Sequence, residues 1–123
     1  MLYSYVTTKK TPRYETIKDI YLPVQRNVAV VGGILSLEPQ YRRILKENNF
    51  VPRIYNRNKS NLRVKVAGTD VIFLFIATVS HKMAQEIRKA ANGFDIPLVT
   101  VSPSSVSALK RSIDELFVDG AGI

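Results

Sequence analysis

The sequence predicts an α/β fold, a three-layer, doubly wound parallel sheet of about four strands in the order 2-1-3-4, preceded by an amino-terminal arm. Three observations predict it. Four short apolar runs alternate with segments of helical or loop character. The third run, Val71-Ile72-Phe73-Leu74-Phe75-Ile76, is apolar at every position, the pattern of a strand covered by helices on both faces. The second and fourth runs carry a proline, which removes a ladder donor and moves a strand toward an edge. The first and third therefore take the centre.

Residues 1–26 stand outside this alternation and form the arm, with residues 27–123 as one domain. The arm carries Tyr3, Tyr5, Tyr14 and Tyr21 among Lys9, Lys10, Arg13, Lys18 and Arg26. The first strand is Val28–Val31, running into Gly32-Gly33. A helix from Gln40 to Asn48 puts Tyr41, Ile44, Leu45 and Asn48 on one face, with Pro39 suited to its first turn. Strand two is Phe50–Tyr55. Between Lys59 and Gly68, Leu62, Val64 and Val66 alternate as in a strand, yet a parallel crossover calls for a helix or loop. Strand three is followed by Ser80, a capping residue for a helix over His81–Asn92. The inner stripe of that helix is Ala84, Ile87 and Ala91, flanked by Met83 and Ala90, and Gly93 is placed to end it. Strand four is Ile96–Val101. The last helix, Ser104–Val118, carries Val106, Leu109, Ile113, Leu116 and Phe117 at helical spacing.

Composition narrows the function classes. The chain has 123 residues, enough for one domain with a real core. It has no cysteine, which excludes disulfides, iron–sulfur clusters and thiolate zinc sites, and its one histidine leaves little for a transition-metal centre. No apolar run approaches a membrane span, and the amino-terminal residues lack the apolar middle and cleavage site of a signal peptide. A cytoplasmic protein is expected. The formal charge is +8, and part of it is concentrated. Arg42, Arg43, Lys46, Arg53, Arg57, Lys59, Arg63 and Lys65 face Glu47 alone in residues 41–65. Such a field either keeps the surface solvated or draws phosphate-bearing partners.

Several chemistries lack their residues. A dinucleotide site needs G-x-G-x-x-G and an acid after the second strand, whereas this turn reads Gly32-Gly33-Ile34-Leu35-Ser36 and strand two ends Tyr55-Asn56-Arg57. A P-loop's Gly-Lys-Ser/Thr is absent. A phosphoacceptor receiver domain needs an aspartate where Ala77-Thr78 stand. Ser80 and His81 are neighbours in sequence, so their side chains diverge at a helix start, and no carboxylate is placed to orient the imidazole. No catalytic residue and no metal ligand set is assigned.

Taken together, "VAVVGG", "YRRIL", "AGTDVIFLFIATVSHKM" and "AQEIRKAANGFDIPLVTVS", ahead of a serine-led last helix, resemble the small bacterial family catalogued as domain of unknown function 2325. The resemblance runs from about Asn27 to Phe117. Its most telling pieces are Gly32-Gly33, Asp70 and Ser80-His81. It implies a Rossmann-like α/β fold and supplies no activity.

The topology places the switch point at the carboxyl ends of strands one and three. Gly32, Gly33, Thr78, Ser80 and His81 converge there, with Arg57 as counter-charge. The glycines either open backbone amides to an anion at a helix start or serve a turn that needs positive φ. His81 either bonds a neighbouring loop or faces a ligand as a neutral group; a haem axial ligand is a third role, needing a second ligand from a partner copy or a tyrosine. The first expectation is a non-catalytic ligand-binding or regulatory module for a nucleotide or other phosphate-bearing partner, its cofactor unknown. A second is a nucleic-acid-binding accessory protein using the arm with Arg42, Arg43, Lys46, Arg53, Lys59, Arg63 and Lys65. A third is an enzyme or haem sensor built on His81. Edge strands and a tyrosine-bearing arm lead us to expect a homodimer.

Overall fold

The computed structural model describes residues 25–55 and 61–120, with side chains described as far as residue 116. It contains a four-stranded sheet of order β2-β1-β3-β4, parallel at every pairing. β1 is Arg26–Val31, β2 Phe50–Tyr55, β3 Val71–Phe75 and β4 Leu98–Val101. Helices α1 (Glu38–Glu47), α2 (Leu62–Val66), α3 (His81–Phe94) and α4 (Val106–Gly120) join and follow them, with 3-10 turns at Leu35–Leu37 and Ile76–Thr78. Residues 25–109 form one compact unit, and residues 110–120 of α4 belong to a second. The predicted arm lies outside the described residues except for its last two.

The proline argument holds. Pro52 lies in the edge strand β2, opposite Val28. Pro97 lies just before the edge strand β4, and its carbonyl still accepts from the Ile72 amide at 3.0 Å. A proline lacks only the donor, so it starts a ladder without interrupting one. This is why β4 begins at Leu98 and not at Ile96. β1 begins earlier than its apolar residues, because Arg26 and Asn27 pair through backbone alone with Phe50 and Val51. β3 is buried throughout, as its composition demands, and stops at Phe75; Ile76 turns away and is partly exposed.

Alternation along the strands sorts the core into two faces. Ala29, Val31, Ile72 and Leu74 point to one side and pack with Leu62 and Val66 of α2 and Met83, Ala84, Ile87, Ala90 and Ala91 of α3. Phe73 and Phe75 point to the other, where Phe73 meets Phe50 edge-on and Phe75 stacks on Tyr41 of α1. The short α2 settles the ambiguous segment. A strand would place Leu62, Val64 and Val66 on one face; here Leu62 and Val66 are buried one turn apart and Val64 is 71% exposed.

Helix α3 starts as its sequence directs, with the Ser80 hydroxyl accepting from the Met83 amide at 3.1 Å. Its end differs. The helix runs through Gly93 to Phe94 and is closed by Asp95 in a left-handed conformation (φ 59°, ψ 44°), after which the Ile96 amide reaches back to the Ala91 carbonyl at 2.8 Å. Asp tolerates that conformation better than most residues, so the stop falls where the chain turns to reach β4.

Leu74 is fully buried in the central strand. Leu74→Ala is expected to cost about 2–5 kcal/mol, read as a lower midpoint in urea denaturation with an unchanged slope. Ser80→Ala is expected to cost about 1 kcal/mol through the lost cap.

Candidate functional site

The carboxyl ends of the strands are tied together by a polar web. β1 leaves the sheet through Gly32 and Gly33, both at positive φ (90° and 98°). A Cβ on Gly32 would stand 2.6 Å from Val79 Cγ1, and one on Gly33 would stand 2.8 Å from Tyr41 Cε2. Each position thus requires glycine twice over, for its backbone and for the side chain lodged against it.

Three successive amides of this turn are donated within the protein. Gly32 donates to the Tyr55 carbonyl at 2.8 Å, Gly33 to the Thr78 hydroxyl at 2.7 Å, and Ile34 to the Tyr41 hydroxyl at 3.0 Å. Tyr41 in turn donates to the Ser104 carbonyl at 2.6 Å. The hydroxyls of Thr78 and Ser104 lie 3.0 Å apart. Tyr41 is 1% exposed, with its ring centroid 4.7 Å from that of Phe75. A buried hydroxyl is tolerated when its donor and acceptor roles are both filled, as they are here. The turns after β1 and β3 and the loop after β4, with its cis Ser102–Pro103 peptide, are thereby held as one assembly.

Of the residues expected at the switch point, Gly32, Gly33 and Thr78 meet directly, and Ser80 and His81 follow two and three positions after Thr78. The glycine turn has the positive φ that one reading of it required, and its amides face protein acceptors. The Ser80 hydroxyl is committed to the α3 cap. His81 is exposed, with Nε2 3.4 Å from the Gln85 side-chain nitrogen one turn along the same helix. No hydrogen bond joins Ser80 to His81 among the described residues. Arg57 and Lys59 lie outside the described residues.

The basic residues of segment 42–65 do not share a face. Arg42, Arg43 and Lys46 belong to α1, and Arg42 lies 3.5 Å from Glu38. Arg53 pairs with Ala29, on the face that α2 and α3 cover, and α2 bears Arg63 and Lys65. The sheet separates the two groups. Asp70 sits at the opposite, amino end of the strands: its carboxylate accepts from the Asn27 amide at 2.7 Å, and its own amide donates to the Asn27 carbonyl at 2.7 Å.

The sequence places Tyr41 only as a core-facing residue, and sets Ser102-Pro103-Ser104 near the switch point, after strand four, without naming a contact for Ser104. A tyrosine on an otherwise aliphatic stripe is the available signal, because a buried phenol requires a polar partner. For Ser104 the signal is its position after strand four, and its particular partners are long-range.

Fold and site together define a small α/β protein with an all-parallel sheet and a polar cluster at the carboxyl ends of its strands. Residues 27–116 match the family model described as "Uncharacterized protein conserved in bacteria (DUF2325)", and the chain belongs to that family. No curated protein and no solved structure matches it. Among the described residues no cluster of three or more His, Cys, Asp or Glu is placed to hold a metal ion, and no helix is long and apolar enough to cross a membrane.

Tyr41→Phe keeps the ring and removes the hydroxyl, leaving the Ile34 amide and Ser104 carbonyl without that partner. An expected loss of about 1–3 kcal/mol follows, measured by equilibrium unfolding. Gly33→Ala adds both a clash and a left-handed penalty, and is expected to lose at least about 1–2 kcal/mol. An unchanged midpoint for both variants would show that the web contributes nothing to stability.

Proposed function

We propose that this chain is a non-catalytic module that recognises a phosphate-bearing partner at the carboxyl ends of its strands, and that the opening turn of α3 makes the contact. The supporting observation is the division of amides in that turn. Those of Met83 and Ala84 are donated to the Ser80 hydroxyl and carbonyl. Those of His81 and Lys82 precede the first intrahelical bond, and both side chains are exposed beside them. Unsatisfied amides at a helix start, aligned with the helix dipole, favour a bound anion. Lys82 adds an exposed positive charge, and His81 adds a ring nitrogen.

Gly32, Gly33 and Thr78 serve this reading by position. Their amides and hydroxyl hold the β1 turn against the residues that lead into α3, with Val79 lodged on Gly32. The turn is thereby fixed before any partner arrives, which lowers the ordering cost of binding.

Titration with pyrophosphate and nucleoside triphosphates at low salt tests the reading, with thermal unfolding as the readout. A ligand that binds the folded state alone raises the midpoint. Lys82→Ala is expected to weaken binding about tenfold, the size of one charge-assisted hydrogen bond, and Arg42→Ala is expected to leave it unchanged. Absence of any stabilisation at low salt overturns the proposal.

A further inference from the structure

The outer face of α3 continues the charge that begins at Lys82. The apolar stripe Met83, Ala84, Ile87, Ala90 and Ala91 is buried against the sheet. Its opposite side shows Lys82, Gln85, Arg88, Lys89 and Asn92, all exposed. Beside it, α2 exposes Arg63 and Lys65, and the edge strand β2 exposes Arg53 toward the same side. Six cations thus stand against two carboxylates on these elements, Glu86 and Asp95, and none of the six forms an ion pair among the described residues. The α1 surface differs, because Arg42, Arg43 and Lys46 are interspersed with Glu38 and Glu47.

We propose that this α2–α3 face docks the phosphate backbone of a nucleic acid. The inference rests on the reading that the start of α3 takes phosphate, and it extends that contact along the helix. From Lys82 to Lys89 the row runs about 10 Å at 1.5 Å per residue. A mononucleotide carries its phosphates at one end and cannot serve both ends of the row. A duplex carries one charge per about 1.7 Å of axis, so phosphates recur along the whole length. Gln85 and Asn92 supply neutral donors and acceptors between the cations. Arg63 is held in place, its guanidinium carbon 5.7 Å from the Phe94 ring centroid. A membrane surface fits the face less well. Interfacial helices insert their apolar side into lipid, and that side of α3 is occupied by the core.

Binding of the full chain to a fluorescent 20-base-pair duplex, followed by anisotropy from 50 to 200 mM salt, tests the assignment. Four to six phosphate contacts predict a log–log slope of about −3.6 to −5.4, a loss of about 10²–10³-fold in affinity across that range. The Arg88→Ala/Lys89→Ala variant is expected to fold normally by circular dichroism and to make the slope shallower by about 1.8. Arg42→Ala/Arg43→Ala on α1 is expected to leave it unchanged. The assignment is overturned by absent or salt-insensitive binding of duplex and single-stranded oligonucleotides, or by an equal effect from the α1 variant. Binding to phosphatidylserine vesicles without oligonucleotide binding overturns it as well. Stabilisation by pyrophosphate with no oligonucleotide binding removes this inference alone; failure of both removes the reading beneath it too.

Discussion

The Tyr41 hydroxyl is the point through which the carboxyl ends of this sheet are organised. Parallel strands hydrogen-bond along their length, but the loops at their ends have no ladder to join them. Here one buried phenol accepts from the turn after β1 and donates to the loop after β4, while Thr78 links the β1 turn to the residues after β3. The glycines are what let these groups approach. Without Cβ atoms at positions 32 and 33, Val79 and the Tyr41 ring come within contact of the backbone. Remove the hydroxyl or the hydrogen-only side chains, and three loops lose their common anchor.

That anchoring divides the carboxyl end into an inner and an outer part. The amides of the β1 turn, which in a phosphate-cradling loop would face the ligand, here face tyrosine, threonine and a neighbouring strand. The amides at the start of α3 have only the Ser80 cap among their acceptors. The amides without a protein acceptor therefore lie at the start of α3 and not in the β1 turn. The cations follow the same division: those of α1 stand among carboxylates, whereas those of α2 and α3 stand largely without them. A surface of one sign raises the local concentration of oppositely charged partners over distances near the Debye length. That physical property motivates a phosphate partner more strongly than any single motif.

Much of the architecture was legible in the residues because it follows from short-range rules. Val71–Phe75 had to be a doubly covered strand, Pro52 and Pro97 sent their strands to the edges, and Ser80 capped the helix that follows. Where local rules conflicted, the structure chose by packing. The alternation at Leu62, Val64 and Val66 lost to a helical turn that buries only the first and third of them. The stop expected at Gly93 moved to Asp95, because the chain had to turn there to begin β4. The candidate site was legible in part. Gly32, Gly33 and Thr78 do come together, but the hydrogen bonds around them were not readable, since Thr78 and Ser104 are 26 positions apart and Tyr41 and Ser104 63.

The layers and the strand order follow from the residues alone, because periodicity, proline chemistry and right-handed crossovers act locally or on neighbouring units; of the residues expected at the switch point, Gly32, Gly33 and Thr78 meet. Which polar groups are paired within the protein and which stay exposed was settled in three dimensions instead. Hydrogen-bond pairing between remote loops, and the sorting of one basic segment onto two sides of a sheet, depend on distances in space that no spacing along the chain encodes.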